Sequence, residues 1–483
     1  MLPETSVSFR TEDEKLRQVY GAAEKKCLLN LKDFSGDTVL VEGGGYEKIW
    51  LETQPMGGEM YALRNLTAAK NNVLLFMRHQ RADGRLPGSI QQIGGKTVPQ
   101  FNKYQGFCFP DPALNLYYLL GQDSGYLEQL KETLIRYDSC LWKTRHVSGD
   151  GLLSSFCVYD TGEDQALRYG DAPCWWEEDA PPEGFQVVPM ASMDVTSWSY
   201  SARRTLAEIC RIQGDPAAES WERKSTEVAD ALRRRLWDER RGALYDRDRS
   251  GKTIDILCHN TLRCMYWGSV SRSMADRFVK EHLLNPSEFW TPFPLPSVAA
   301  DDPAFRNAPE NNWSGQPEGL TYQRAIAALE RYGYHPVVTE LGKKLIDTVY
   351  ANGCRFTQQY DPFTGKASLV DADSHLPAEP GREGRIQDAY GPTMLACLEY
   401  IAHRCGIHPH LGQVWFSLDS GKPYEYEAVF YGHRYEIRSS GEKAEIRAGG
   451  KVLGRWNCGC RIVTDENGTL LRTEVIEKAA GES

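Results

Sequence analysis

The run Thr161-Gly162-Glu163-Asp164-Gln165-Ala166-Leu167-Arg168-Tyr169 sets two adjacent carboxylates behind a glycine and follows them with an arginine and a tyrosine. A carboxyl held partly out of water keeps a proton near neutral pH and can hand it to a departing oxygen. A neighbouring carboxylate raises proton affinity and a guanidinium lowers it, and Glu163 and Arg168 supply these opposing effects for Asp164. The competing account is a solvated loop pair, Glu163 and Asp164, neutralised by Arg168. Two further segments mix aromatics, amides, acids and glycine. They are Asn312-Trp313-Ser314-Gly315-Gln316-Pro317-Glu318-Gly319 and Gln358-Gln359-Tyr360-Asp361-Pro362-Phe363-Thr364-Gly365. Upstream, Gly44-Gly45-Tyr46 precedes Trp50-Leu51-Glu52-Thr53-Gln54.

Other chemistries lack their spacing. The glycine run has neither the G-x-G-x-x-G nor the G-x-x-x-x-G-K-[ST] pattern of a nucleotide loop. No His-Glu-x-x-His or zinc-ligand spacing occurs among the 10 histidines, and no G-x-S-x-G marks a serine nucleophile. No metal and no cofactor is expected.

Amphipathic helices must position these residues. Leu127, Leu130, Leu134, Tyr137 and Leu141 form one apolar stripe. Trp198, Ala202, Leu206 and Ile209 form another, opening at Asp194 as N-cap and stopping at Gly214. Pro216 opens the next helix in its first turn. Tyr322, Ile326 and Leu329 continue the pattern, and Leu341, Leu345 and Val349 follow a break at His335-Pro336. Long loops at 36–60, 83–112, 143–193, 284–318 and 353–391 separate the helix pairs, and loops of that length in a compact domain are usually functional. The pattern predicts an all-α toroid of helical hairpins with its loops gathered at one end. Beyond His408-Pro409-His410 the period changes to that of strands, at Tyr424, Tyr426, Ala428 and Phe430, with glycine turns at Gly441, Gly449-Gly450 and Asn467-Gly468. The expected domains are 1–411, helical, and 412–483, a small antiparallel β domain.

A net charge of −10 argues against nucleic acid or an anionic membrane as partner. No apolar run is long enough to span a bilayer. The first residues lack the basic and apolar regions of a signal peptide, so a cytoplasmic location with reduced cysteines is expected.

In order and setting, the three segments resemble those of the inverting glycosidases of the trehalase, processing α-glucosidase and mannosylglycerate hydrolase group. The resemblance covers residues ~40–405. It implies an (α/α)6 barrel, a carbohydrate substrate, and a general acid at Asp164. It also implies substrate contacts from Tyr46, Trp50, Glu52, Gln54, Glu163, Arg168, Trp313, Gln316, Gln358, Tyr360 and Tyr390. Some of the 12 Trp and 24 Tyr are expected to serve as platforms for sugar rings. The chain departs from the group in four places, one of them Ser314 where the group has an arginine. Glu52 stands where an Asp is expected, Glu318 replaces an aromatic, and Gln358 stands where the group has its basic Glu. A glutamine cannot take a proton from water. Glu318 is therefore the candidate base, ahead of Asp361 and Glu383. Two alternatives stay open: a phosphorylase, for which Arg168, Arg382 and Arg385 would supply the basic pocket, and a sugar-binding protein without turnover.

Overall fold

The computed structural model describes residues 2–368 and 387–477. Its helices are α1 (Glu14–Cys27), α2 (Gln54–Met60), α3 (Leu66–Arg78), α4 (Pro110–Leu119), α5 (Ser124–Arg145), α6 (Met193–Gln213), α7 (Ala218–Leu236), α8 (Asn260–Trp267), α9 (Arg272–Phe278), α10 (Gly319–Glu330), α11 (His335–Ala351) and α12 (Gly391–Cys405).

The even-numbered helices form a closed ring. α2 touches α4, α4 touches α6, and the sequence continues through α8 and α10 to α12, which returns to α2. The odd-numbered helices flank them: α3 on α2, α5 on α4 and α6, α7 on α6, α9 on α8, and α11 and α1 on α12. Composition follows position. Every residue of α12 except Arg404 is buried, as expected of a helix covered on all sides. α7 buries only a stripe that includes Val228, Leu232 and Leu236, and turns its charged residues outward. The stripes of α5, α6, α10 and α11 all lie in the core.

Two details differ from the sequence reading. The N-cap of α6 is Ser192, whose side chain accepts from the Val195 amide. Asp194 lies inside the first turn, because its carboxylate is taken by arginines described below. Pro216 precedes α7 rather than opening it.

The helical region is not free of strands. Leu31–Phe34 pairs with Asp37–Leu40, and Lys48–Trp50 pairs with Ser89–Ile93, which pairs with Lys96–Gln100. These hairpins occupy two of the long loops and hold Trp50 in place. Toward the C-terminus two antiparallel sheets follow. One has the order Ile407–His410, Gln413–Leu418, Cys460–Asp465, Leu470–Val475. The other has the order Ser6–Thr11, Tyr424–Phe430, His433–Ser439, Lys443–Ala448, Lys451–Asn457. Its first strand comes from the opposite end of the chain, with Phe9 facing Tyr426. Along Tyr424–Phe430 alternate residues are buried, so the period-2 pattern is that of one covered face. Among the described residues, no helix is long and apolar enough to cross a membrane.

Candidate active site

One cleft collects residues from all the segments singled out above. Tyr46, Trp50, Glu52, Asp164, Trp313, Gln358 and Tyr390 line it, together with Glu42, Thr53, Lys103, Gln105, Tyr159, Gly162, Asn311 and Leu320.

The backbone stitches the segments together. The Trp313 amide donates to the Asp164 carbonyl at 3.0 Å, and the Leu167 amide to Ser314 Oγ at 2.7 Å. The Gly319 amide donates to the Gln358 carbonyl at 2.8 Å. Gly43 and Tyr46 exchange both backbone hydrogen bonds across a tight turn that projects Tyr46 into the cleft. Gly43 has φ +77°, and a Cβ there would lie 2.1 Å from Asn30 Nδ2. Gly162, with φ +74°, faces the Glu52 carboxylate so closely that a Cβ would lie 1.8 Å from Oε2. That glycine therefore turns the chain and makes room for Glu52.

Adjacent acids take opposite directions. Glu163 points behind the cleft wall, where Arg168 bonds it, Arg263 lies at 3.3 Å, and Asn260 donates to both of its oxygens. Arg168 also pairs with Asp246 and, at 3.1 Å, with Asp194, which takes Arg263 Nε at 2.7 Å. Burial pushes the Glu163 carboxyl up, but Arg168 and Arg263 outweigh it and hold the group well below the usual carboxylate range. Glu163 and Arg168 are thus the buried support of the loop and do not line the cleft. Asp164 does line it, and its Oδ2 accepts from Asn311 Nδ2 at 2.7 Å.

Glu52 stands at the edge of the same ion cluster, bonded by Arg324 with Arg263 at 3.7 Å. Burial raises its proton affinity against these two guanidinium groups. Glu318 is in another situation. It is the fully buried N-cap residue of α10, its side chain makes no capping hydrogen bond, and it is not among the residues that line the cleft. Its Oε1 accepts from Gln359 Nε2 at 2.7 Å, and its Oε2 has no hydrogen-bond partner. Burial pushes its carboxyl well above the usual range. The Gln359 and Gln358 amides oppose this, and the charges of Asp164 and Glu42 add to it.

The remaining expected contacts divide. Gln358 accepts from the Tyr46 hydroxyl at 3.0 Å and donates to Asn311 Oδ1 at 3.1 Å. Tyr390 donates to Glu42 at 2.9 Å. Gln54, Gln316 and Tyr360 are buried outside the lining. Gln54 accepts from the Trp50 amide, Gln316 donates to Asn307, and Tyr360 packs on Phe293 with its hydroxyl on the Arg355 carbonyl. Asp361 accepts from Asn307 and the Phe363 and Thr364 amides, a turn-forming role outside the cleft. Glu383, Arg382 and Arg385 lie outside the described residues.

The sequence reading missed Glu42, Lys103 and Asn311. Glu42 borders the glycine run and Asn311 borders the segment Asn312–Gly319, which was the available signal. It also missed Arg263 and Arg324, whose signal was a charge within an otherwise buried helix. Among the described residues, Glu399, His403 and His408 bring ligand atoms within 4.8 Å of one another. They lie where α12 meets the strand Ile407–His410, and Glu399 accepts from both rings, at 3.0 and 2.9 Å.

In fold the chain is similar to the GH63 mannosylglycerate hydrolase of Thermus thermophilus. The TM-score is 0.61 at 15% identity, over 79% of this chain and 99% of that one. A sialidase gives a TM-score of 0.70 at 14% identity, over 96% of this chain and 42% of that one. The neutral trehalase of Saccharomyces cerevisiae gives 0.55 at 12%, over 79% and 80%. At such identities the likeness is one of fold. No curated protein matches the chain in sequence. The family model of the mannosylglycerate hydrolase MGH1-like glycoside hydrolase domain does match, over residues 59–379, which take in α3 through α11 and the Asp164, Trp313 and Gln358 segments. More than half of the chain falls within that match, so the chain belongs to this glycoside hydrolase family and is a glycosidase.

Proposed function

We propose that the protein is an inverting hydrolase of a small oligosaccharide or glycoside, with Asp164 as proton donor and Glu318 as base. The closed helix ring is then the six-hairpin toroid of the family, its C-terminal sheets forming a second domain from about residue 412, which Ser6–Thr11 and Ile407–His410 join from the helical side of that boundary. The observation that carries the reading is the meeting of Asp164, Trp313 and Gln358, from three distant segments, in one cleft.

In the proposed reaction, a water oxygen attacks the anomeric carbon and gives its proton to Glu318. The glycosidic C–O bond breaks, and the leaving oxygen takes the proton of Asp164. Solvent exchange then returns both carboxyls to their starting states. Inversion requires room for the water, which corresponds to carboxyls ~6.5–9.5 Å apart. The buried, unpartnered Oε2 of Glu318 supports its role, since a water can supply the missing donor. Its raised proton affinity sets the direction of the pH dependence. Glu318 is a base only when ionised, so activity rises with pH through a range above that of an ordinary Glu.

A rival base is favoured by one observation: Glu42 lines the cleft directly. Phosphorolysis would need cations facing the cleft. Arg168 is committed to Glu163, Asp194 and Asp246, which leaves Lys103 as the cation among the described lining residues. The test is turnover of mannosylglycerate, trehalose and a 4-nitrophenyl glycoside panel, with and without phosphate, with proton NMR of the first product. Phosphate-independent release of the inverted anomer is expected. A retained anomer overturns the inverting assignment, strict phosphate dependence selects a phosphorylase, and binding without turnover leaves a sugar-binding protein.

A further inference from the structure

We infer that Asn311 is the positioning residue of the proton donor, fixing which oxygen of Asp164 carries the transferable proton. The inference rests on the reading of Asp164 given above.

Four cleft residues form a chain of hydrogen bonds with one direction. The Tyr46 hydroxyl donates to Gln358 Oε1 at 3.0 Å, and Gln358 Nε2 donates to Asn311 Oδ1 at 3.1 Å. Asn311 Nδ2 then donates to Asp164 Oδ2 at 2.7 Å. Each amide is engaged at both ends. Turning either one over would set two N–H groups, or two acceptor oxygens, against each other. In the structure the bonds run from Tyr46 to Asp164; the reverse order would require both amides to turn together, the Tyr46 hydroxyl to accept and Asp164 Oδ2 itself to carry the proton. An amide N–H requires an acceptor, so Oδ2 stays unprotonated and the proton of the Asp164 carboxyl resides on Oδ1. The leaving oxygen is then met by one defined atom, which is the geometric part of proton transfer.

The same bond adjusts proton affinity. A donor to a carboxyl oxygen favours the ionised form. Among the described residues, the titratable groups sharing the cleft with Asp164 are Glu42, Tyr46, Glu52, Lys103, Tyr159 and Tyr390, with Glu318 against Gln358. Glu318 acts on Asp164 in the opposite sense to Asn311, because a second carboxylate raises proton affinity. The chain also accounts for Gln358. Where relatives are expected to carry a carboxylate, an amide is what can accept from Tyr46 and donate to Asn311 at once.

Asn311→Ala and Asn311→Asp test this, on a 4-nitrophenyl glycoside and on the matching methyl glycoside. For Asn311→Ala, kcat on the methyl glycoside should fall by ~10- to 100-fold with KM little changed, and the aryl substrate should be largely spared. The alkaline limb of its pH profile should move to higher pH, because the donor that favoured ionisation is gone. Asn311→Asp should move that limb further, since two facing carboxyls share one proton. An unmoved limb, or equal losses on both substrates, overturns the inference. Asp164→Asn, measured in parallel, separates two failures. If it spares the methyl glycoside, the donor assignment is lost and this inference with it. If it abolishes that turnover while the Asn311→Ala limb stays put, only this inference is lost. Carbon-13 NMR titration of the Asp164 carboxyl in native protein and in Asn311→Ser gives the same answer without turnover, an unshifted titration overturning it.

Discussion

Glu163 and Asp164 are neighbours in sequence, yet they belong to two differently built regions. Behind the cleft wall, Glu163, Asp194 and Asp246 are matched by Arg168 and Arg263. Asp164, which lines the cleft, and the buried Glu318 are met instead by the amides of Asn311 and Gln359. A guanidinium locks a carboxylate in its charged form, and its removal leaves a buried charge unpaired. An amide holds a carboxyl in place but leaves it able to gain or lose a proton. The partner, more than the acid, separates support from chemistry.

The sharpest way to break this comparison is to remove charge from the amide-held side. Asp164→Asn should cut turnover of unactivated glycosides by ~10²–10⁴ while leaving thermal stability near the native value. A variant that unfolds, or that loses activated and unactivated substrates equally, would place Asp164 with the support instead. On the other side, Arg168→Met should destabilise the fold by ~3–5 kcal/mol, because Glu163, Asp194 and Asp246 lose a shared partner inside the core. Denaturant unfolding measures it, and a loss under ~1 kcal/mol would show that the cluster is not a unit.

Glu318→Gln should lower kcat strongly, and azide should restore turnover to Glu318→Ala by replacing the activated water. If Glu318→Gln keeps full activity, Glu42→Gln becomes the next variant to test. The two regions should also differ in the sign of their pH dependence. Glu163 has a depressed folded pKa, so its contribution is present above the unfolded value near 4.5 and is lost as pH falls below it. Glu318 has a raised folded pKa, so its contribution is present below ~4.5 and is lost as pH rises through the folded value. Glu318→Gln should therefore raise the melting temperature at pH 8 relative to native protein and leave it little changed at pH 4. The smallest effect is expected from Gln358→Glu. It breaks the donor contact to Asn311 and adds a like charge near Glu318, so activity should fall rather than rise.

The helices were legible because burial imposes a 3.6-residue period on Leu127 to Leu141 and on Tyr322 to Leu329. The strands beyond residue 410 were legible from the alternation at Tyr424 to Phe430. The pocket residues nearest a motif, Asp164, Trp313 and Gln358, were found because loop segments of unusual composition flag themselves. Direction was not legible. Nothing in Glu163-Asp164 says which carboxyl turns inward, because that depends on Arg263 and Asn260, far along the chain. Asp194 looked like a helix cap for the same reason: its partner arginines are distant in sequence. Glu42 and Asn311 only border the motifs and Lys103 has no local pattern, so it is the fold that brings all three to the cleft.

The strand Ser6–Thr11 lies edge to edge with Tyr424–Phe430. A chain emerging from the ribosome makes residues 6–11 early and their partner late, with the whole helix ring between them. Contacts between such distant segments form slowly, and an unpaired edge is open to wrong partners meanwhile. The pairing also acts as a latch, since it ties the segment leading into α1, which already packs on α12, to the sheet that begins with Tyr424–Phe430. Assembly of this molecule is therefore complete only when its first strand has been claimed by one of its last.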